Sequence, residues 1–395
     1  MEFLDALRGI AALAVALQHG AEILWPAYLR WSVEVFRAGE YGVFVFFLVS
    51  GFIIPASLEK RGSVRAFWVG RVLRLYPVYW VAMVAVAVLA VTVDRSVADG
   101  HDRWDFLVNL TMVQNFTTGA NVIGASWTLA FEMVFYLLCS ALLLAGLHRR
   151  SAEVATGLLC LSAAGGVLVP SYALLHPSRQ SLALAVGSIA AVVWVLVLSG
   201  GAKTLSTAAG IVLTAGLAVG LLLNRPESWW FALLLLGTMF TGTTVYRWYA
   251  GQGSAARAVG TVSTAVVAAL IGTWVNIEDK IDPTLAGAHH TWRPEFLTYV
   301  LALVTFGLAL ALRRRRFPRV LTYLGAISYS VYLAHAVVIH IVPQVGGPVV
   351  ALGVWMAVII AIASISYRFV EKPFHELGRS WSSRVARPKA GSAAA

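Results

Sequence analysis

About twelve stretches of the chain are apolar for roughly 17–25 residues at a time, the length at which a helix crosses a hydrocarbon layer about 30 Å thick. They fall near 9–25, 41–56, 76–93, 124–147, 152–170, 181–199, 204–223, 229–246, 256–275, 295–312, 321–342 and 349–369. In lipid every backbone N–H and C=O has to be satisfied within the chain, which leaves only helices and closed barrels. The runs are continuously apolar and lack the alternation of barrel strands. The sequence therefore predicts an all-α polytopic transmembrane helical bundle of about 10–12 spans. The second run, interrupted by Gly51 and stopped at Pro55, reads as short and kinked. Ten spans plus a re-entrant pair fit the pattern as well as twelve.

Composition excludes the other broad classes. Of 395 residues, 59% are hydrophobic and 12% charged, with a mean hydropathy of +0.77. A soluble domain carries about 25% charged residues, so a soluble, disordered or disulfide-rich secreted chain is ruled out. The net charge of +11 does not gather in one patch, as nucleic-acid binding would need; the basic residues sit in alternate loops. With the N-terminus inside, 22 of the 30 lysines and arginines lie on the inner side and 8 on the outer. That asymmetry places both termini in the cytoplasm. No small-residue cleavage site follows the first run, so no cleaved signal peptide is expected. Cys139 and Cys160 lie in apolar runs and read as small core residues, without a disulfide or metal role. Two longer loops, 94–123 and 276–294, face outward, and Ser57 to Tyr76 reads as an amphipathic interfacial helix. Residues 376–395 read as a basic, disordered cytoplasmic tail.

Ionisable groups inside a span are costly and mark function by default. They are His19, Glu22, Glu132, His335 and His340. Glu22 and His340 lie near outer span ends and read as interfacial. Arg8 and His19 are eleven residues apart, hence on one helix face and about 16 Å apart along the axis. That spacing sets Arg8 at the cytoplasmic rim and His19 near the bilayer centre. Glu132 enters from the other side to a similar depth, so the two are expected to pair as a general base and its orienting carboxylate. These groups alone leave catalysis, an interhelical hydrogen bond and a proton-coupled transporter or flippase all open.

The motifs carry more. The first span reads Phe3-Leu4-Asp5-Ala6-Leu7-Arg8-Gly9, then His19; the second contains Phe46-Phe47-Leu48-Val49-Ser50-Gly51-Phe52. Phe67-Trp68 follows with Arg71, Arg74, Leu75, Tyr76 and Pro77, then Ser126-Trp127-Thr128-Leu129-Ala130-Phe131-Glu132. Ile327-Ser328-Tyr329-Ser330-Val331-Tyr332-Leu333-Ala334-His335 and Phe369-Val370-Glu371-Lys372-Pro373 complete the series. Six motifs in this order resemble the membrane-bound acyltransferase family 3 over nearly the whole chain, with little to match at about 150–260.

That resemblance implies an integral membrane O-acyltransferase domain over 1–375, multi-pass in a bacterial cytoplasmic membrane. Acyl-CoA, acetyl-CoA or another short acyl-CoA, would be its donor on the cytoplasmic side, and no metal is implied. The acceptor would be a hydroxylated glycan, glycolipid or macrolide-like molecule; a homo-oligomer is compatible with the resemblance. His19 matches the family's catalytic histidine, Arg8 the arginine of the same motif, and Arg71 and Arg74 its basic pair.

Chemistry agrees with that assignment. A hydroxyl needs a base before it attacks, and imidazole supplies one. Guanidinium groups suit the phosphates of coenzyme A. Glu132 stands as the second catalytic group. Ser50, Ser126, Trp127 and Tyr136 are candidates for contacting the attacked carbonyl, and Tyr332 with His335 for positioning the acceptor.

Overall fold

A computed structural model of the chain describes residues 1–92, 101, 103–116, 120–164, 214–218, 228–277, 280–282 and 288–386. Helix α1 (Glu2–Leu24) leads into a short α2 (Pro26–Glu34), which has proline at its first position, where a missing N–H costs nothing. Then come α3 (Ala38–Arg61), α4 (Val64–Thr92), α5 (Arg103–Asn109), α6 (Trp127–Leu144) and α7 (Ser151–Ala164). After the central stretch follow α8 (Trp229–Tyr249) and α9 (Ala255–Asn276). A hairpin of β1 (Lys280–Asp282) and β2 (Ala288–His290) precedes α10 (Trp292–Ala311), α11 (Arg319–Ala326), α12 (Ser328–Ile341), α13 (Pro348–Ser366) and α14 (Lys372–Ala386). Among the described residues, eight helices are long and apolar enough to cross a membrane, or nine if the α11–α12 pair counts as one bent span. The chain is an all-α multi-pass membrane protein. The runs expected at 181–199 and, apart from 214–218, at 204–223 lie outside the described residues.

Several boundaries differ from the sequence reading. α1 begins at Glu2 rather than near residue 9. α3 is one unbroken 24-residue helix containing Pro55; neighbouring helices support the backbone group that proline frees. No separate interfacial helix spans Ser57 to Tyr76. Instead Gly62, at φ 62°, closes α3 in the left-handed region. Ser63 Oγ then accepts the Ala66 N–H at 3.2 Å and starts α4, 29 residues long. The run at 321–342 is bent by 72° between Ala326 and Ser328. The last span continues through a π turn at Tyr367–Glu371 into α14, so residues 376–386 are helical. Cys139 is buried as expected, whereas Cys160 is exposed; both are free.

α3 forms the stem of the bundle, packed by α1, α8 and α10. Lipid tails are as apolar as the side chains, so helices associate there through close packing and small residues. A methyl group on Gly51 would collide with the Met239 carbonyl, and one on Gly242 with that of Leu48, so the α3 and α8 backbones touch. Thr243 Oγ1 donates to the Gly51 carbonyl at 2.9 Å across the same crossing. Gly42 meets the Ala11 carbonyl and Gly325 that of Asp5, which fixes α1 to α3 and to α11. At the end rich in basic residues, Arg247, only 4% exposed, donates to both Glu59 oxygens, to Gln252 Oε1 at 2.6 Å and to the His148 carbonyl at 2.7 Å.

The opposite end is closed by the loop holding α5. Asn109 donates to the Asp105 and Ala120 carbonyls, both at 2.7 Å, and Gln114 to Ser126 Oγ at 2.8 Å. The hairpin lies at this end too; the His289 N–H donates to Glu34 Oε1 at 2.9 Å. That bond and Arg30 hold the half-buried Glu34 carboxyl below the usual carboxylate range.

Candidate active site

Because α1 starts at Glu2, Arg8 and His19 lie on either side of its midpoint, about 7.5 and 9 Å from it. Arg8 is therefore inside the bundle rather than at its rim. It lines a narrow cavity of about 90 Å³ with Ser50 of α3, Arg71 and Arg74 of α4, and Glu132 and Tyr136 of α6. Tyr332 and Ser328 of α12 complete the wall. Seven of the residues picked from sequence thus converge here: Arg8, Ser50, Arg71, Arg74, Glu132, Tyr136 and Tyr332.

Glu132 is the cavity's carboxylate. The Tyr136 hydroxyl donates to its Oε1 at 2.5 Å and the Ser50 hydroxyl to the same oxygen at 3.3 Å. Among the described residues, no carboxylate lies within ion-pair distance of Arg8, Arg71 or Arg74. Arg71 is 6% exposed. Its guanidinium sits 5.3 Å from the Phe67 ring centre and 5.4 Å from that of Tyr136, the aromatic contacts that a desolvated cation favours. Its Nε and the Ser328 hydroxyl, both buried, have no hydrogen-bond partner among the described residues. Ser328 stands in the Ile327–His335 motif but is not among the site residues the sequence predicts; it faces the cavity as the first residue of α12.

His19 is not with Glu132. Its Nδ1 lies 3.5 Å from Glu22 Oε2, one turn along α1. The other Glu22 oxygen accepts from Gln18 Nε2 at 2.8 Å, and Gln18 Oε1 accepts the Gly39 N–H at 2.5 Å. Glu22, read from sequence as interfacial, is thus the carboxylate beside His19, and its i,i+3 spacing is the sequence signal for it. The His19 ring stacks on His335, with centres 5.4 Å apart and planes at 15°. His19 is 43% exposed, so its free edge is reachable. His335 is fully buried, and neither ring nitrogen meets hydrogen-bond geometry with a partner among the described residues.

Tyr332 joins the two halves. It lines the cavity, its ring lies 5.6 Å from that of His335, and its hydroxyl donates to the Ala125 carbonyl at 2.7 Å beside Thr128 Oγ1, also at 2.7 Å. Trp127 is elsewhere, packed edge-on to Phe131 with ring centres 6.1 Å apart, and does not line the cavity. Ser126 is fully buried and accepts from Gln114. Among the described residues, no group of three or more His, Cys, Asp or Glu side chains could hold a metal ion.

A polytopic bundle with guanidinium groups gathered in an intramembrane cavity, linked by one tyrosine to a histidine pair, defines a membrane protein with a buried polar site along its axis. The chain belongs to the acyltransferase family 3, whose model, described as an acyltransferase domain, matches residues 1–367. Acyltransferase MdmB of Streptomyces mycarofaciens is 32% identical over 142 residues, covering 34% of this chain and 37% of that protein. YrhL of Bacillus subtilis is 26% identical over 97% of this chain and 56% of its own length. Peptidoglycan O-acetyltransferase OatA of Listeria monocytogenes is 27% identical over 36% of this chain and 24% of its own. The chain spans about a third of MdmB and about half of YrhL. No solved structure matches.

Proposed function

We propose that the chain is a membrane O-acyltransferase that moves a short acyl group, such as acetyl, from acyl-CoA to a hydroxyl of a cell-envelope glycan, glycolipid or macrolide-like acceptor. The single observation behind this reading is the continuity of the site: three arginines without carboxylate partners at one end, Tyr332 between, and the His19–His335 pair beyond. The charge bias of the loops orients the arginine end toward the cytoplasm, where acyl-CoA is found.

In this reading Arg71 and Arg74 hold the diphosphate, and the narrow cavity takes the pantetheine arm. Ser328 Oγ and Arg71 Nε, otherwise unpartnered, donate to the arm's amide carbonyls. The roughly 16 Å from Arg8 to His19 is a distance the arm covers, which brings the thioester to the imidazole. Glu22 holds the proton on Nδ1 and leaves the Nε2 lone pair free. Nε2 removes the acceptor's hydroxyl proton, the oxygen attacks the thioester carbonyl, the new C–O bond forms and the C–S bond breaks. The departing thiolate takes the proton back from the imidazolium. Glu132 offsets the guanidinium charge.

The test is turnover by purified protein with labelled acetyl-CoA and a hydroxylated acceptor. Release of free thiol that depends on the acceptor, and that falls about 100-fold or more in His19→Ala, is expected. A thioester left intact, or full turnover in His19→Ala, overturns the reading.

A further inference from the structure

α13, the π turn and α14 run as one rod over Pro348–Val385, 38 residues. At 1.5 Å per residue that is about 57 Å, nearly twice the hydrocarbon thickness. α14 therefore stands largely outside the lipid core, at the basic end. It lies along the first half of α4. A methyl on Gly378 would sit 3.1 Å from Leu73 Cβ, and one on Gly70 2.9 Å from Ser382 Oγ and 3.1 Å from Arg61 Nη2. The Ser382 hydroxyl and the Arg61 guanidinium thus both approach the bare backbone of Gly70.

His375, Arg379 and Ser382 follow one another at four and three residues, along one flank of α14. The other flank carries Phe374, Leu377 and Trp381, all exposed, as suits a helix at the lipid interface. His375 lies within electrostatic reach of Arg74, Arg379, Arg71 and Arg61. Arg61 reaches Ser57 Oγ at 2.6 Å. No carboxylate among the described residues lies within ion-pair distance of Arg61, Arg71, Arg74 or Arg379. Ser382 is 4% exposed, yet its hydroxyl has no partner among the described residues. A hydroxyl buried without a partner beside unpaired guanidinium groups is a half-built anion site.

We propose that α14, the start of α4 and the end of α3 form a subsite for the phosphorylated nucleotide end of the donor. Arg61 and Ser382 take a ribose phosphate, and Arg379 and His375 close over it. This rests on the acyl-CoA reading above and adds residues that reading does not use. An anionic lipid headgroup offers the same phosphate chemistry, so the experiment separates the two sources.

The probe is adenosine 3′,5′-bisphosphate, titrated calorimetrically into the full chain in phosphatidylcholine nanodiscs. Binding to the wild type is expected. It should weaken about tenfold or more in Arg379→Gln and several-fold in Ser382→Ala. Adenosine 5′-monophosphate should bind the wild type about as weakly as the bisphosphate binds those variants. Arg379 is exposed, so its loss leaves the packing intact. Equal binding of the two nucleotides, unchanged binding in the variants, or none to the wild type overturns the subsite. So does retention of phosphatidylglycerol that depends on Arg379 and Ser382 when the bisphosphate does not bind, which would make the cluster a lipid site. Acetyl-CoA turnover at unaltered KM in both variants removes the subsite and leaves the donor reading standing. Variant-sensitive bisphosphate binding in a protein that turns over no thioester upholds the phosphate site at α14 and overturns the acyl donor as its occupant.

Discussion

The imidazoles of His19 and His335 lie face to face, 5.4 Å apart at 15°, one half-exposed and the other sealed from solvent with neither nitrogen in hydrogen-bond geometry with a partner among the described residues. A polar ring left in that state costs about 1–3 kcal/mol, and an apolar ring of similar size would avoid the cost. His335→Phe should therefore hold or raise the melting temperature while lowering kcat about tenfold, because the second imidazole is kept for its nitrogens. Thermal unfolding in detergent and turnover on the same preparation check both halves. Full activity in a stabilised His335→Phe protein would reduce the ring to packing.

Two carboxylates stand apart where the sequence predicts one pair of His19 and Glu132: Glu22 lies beside His19, and Glu132 lies in the arginine cavity. Glu22→Gln removes the charge beside the imidazole, so kcat should fall about tenfold with the donor KM held. Glu132→Gln leaves His19 untouched but unbalances the arginine cavity, so the donor KM should move more than kcat. Steady-state kinetics on the two variants separates them. The opposite pattern would return Glu132 to the side of the base.

Arg71 is desolvated and flanked by two rings, so its value lies in charge and planar shape together. Arg71→Gln should weaken binding of a non-hydrolysable acetyl-CoA analogue by about 1.5–3 kcal/mol. Arg71→Lys should recover only part of that loss. Unchanged affinity in correctly inserted protein would assign this arginine to lipid or orientation instead.

Gly51→Ala places a methyl where the Met239 carbonyl already stands. Forcing α3 from α8 there should cost about 1–3 kcal/mol or more. A lower melting temperature and a broadened size-exclusion peak are the expected signs. Gly353→Ala, where the added methyl meets nothing within 4 Å, serves as the control.

The charge bias predicts a sidedness that is open to direct measurement. After Cys160→Ala removes the exposed native thiol, Gln344→Cys, in the exposed turn between α12 and α13, should react with a membrane-impermeant reagent in intact cells. Arg315→Cys, exposed between α10 and α11, should react only after permeabilisation. The reverse result would put the arginine end outside and deny it cytoplasmic donor.

The helices were legible because lipid leaves a chain so few ways to satisfy its backbone, and an apolar run of span length speaks for itself. Their interruptions were not. The apolar pattern passes through Ile327 without a break, and the bend there lies beside the seat of Gly325 on the Asp5 carbonyl, a contact 320 residues away in sequence. Arg8, Arg71 and Arg74 could be grouped from their motifs, and they do share one cavity. The partner of His19 could not be read from depth, because that arithmetic assumed a span starting near residue 9, and α1 starts at Glu2. Nor could the His19–His335 stack, which exists only once α1 and α12 lie together.

The backbone crossings at the glycines have a mechanical corollary. Gly51, Gly242, Gly42 and Gly325 lock α1, α3, α8 and α11 into one block, while Gly70 and Gly378 join α4 to α14 in another. Arg8 and Ser50 belong to the first block, Arg71 and Arg74 to the second. The cavity of about 90 Å³ therefore lies on the seam between two sets of backbone-to-backbone contacts, with walls drawn from both.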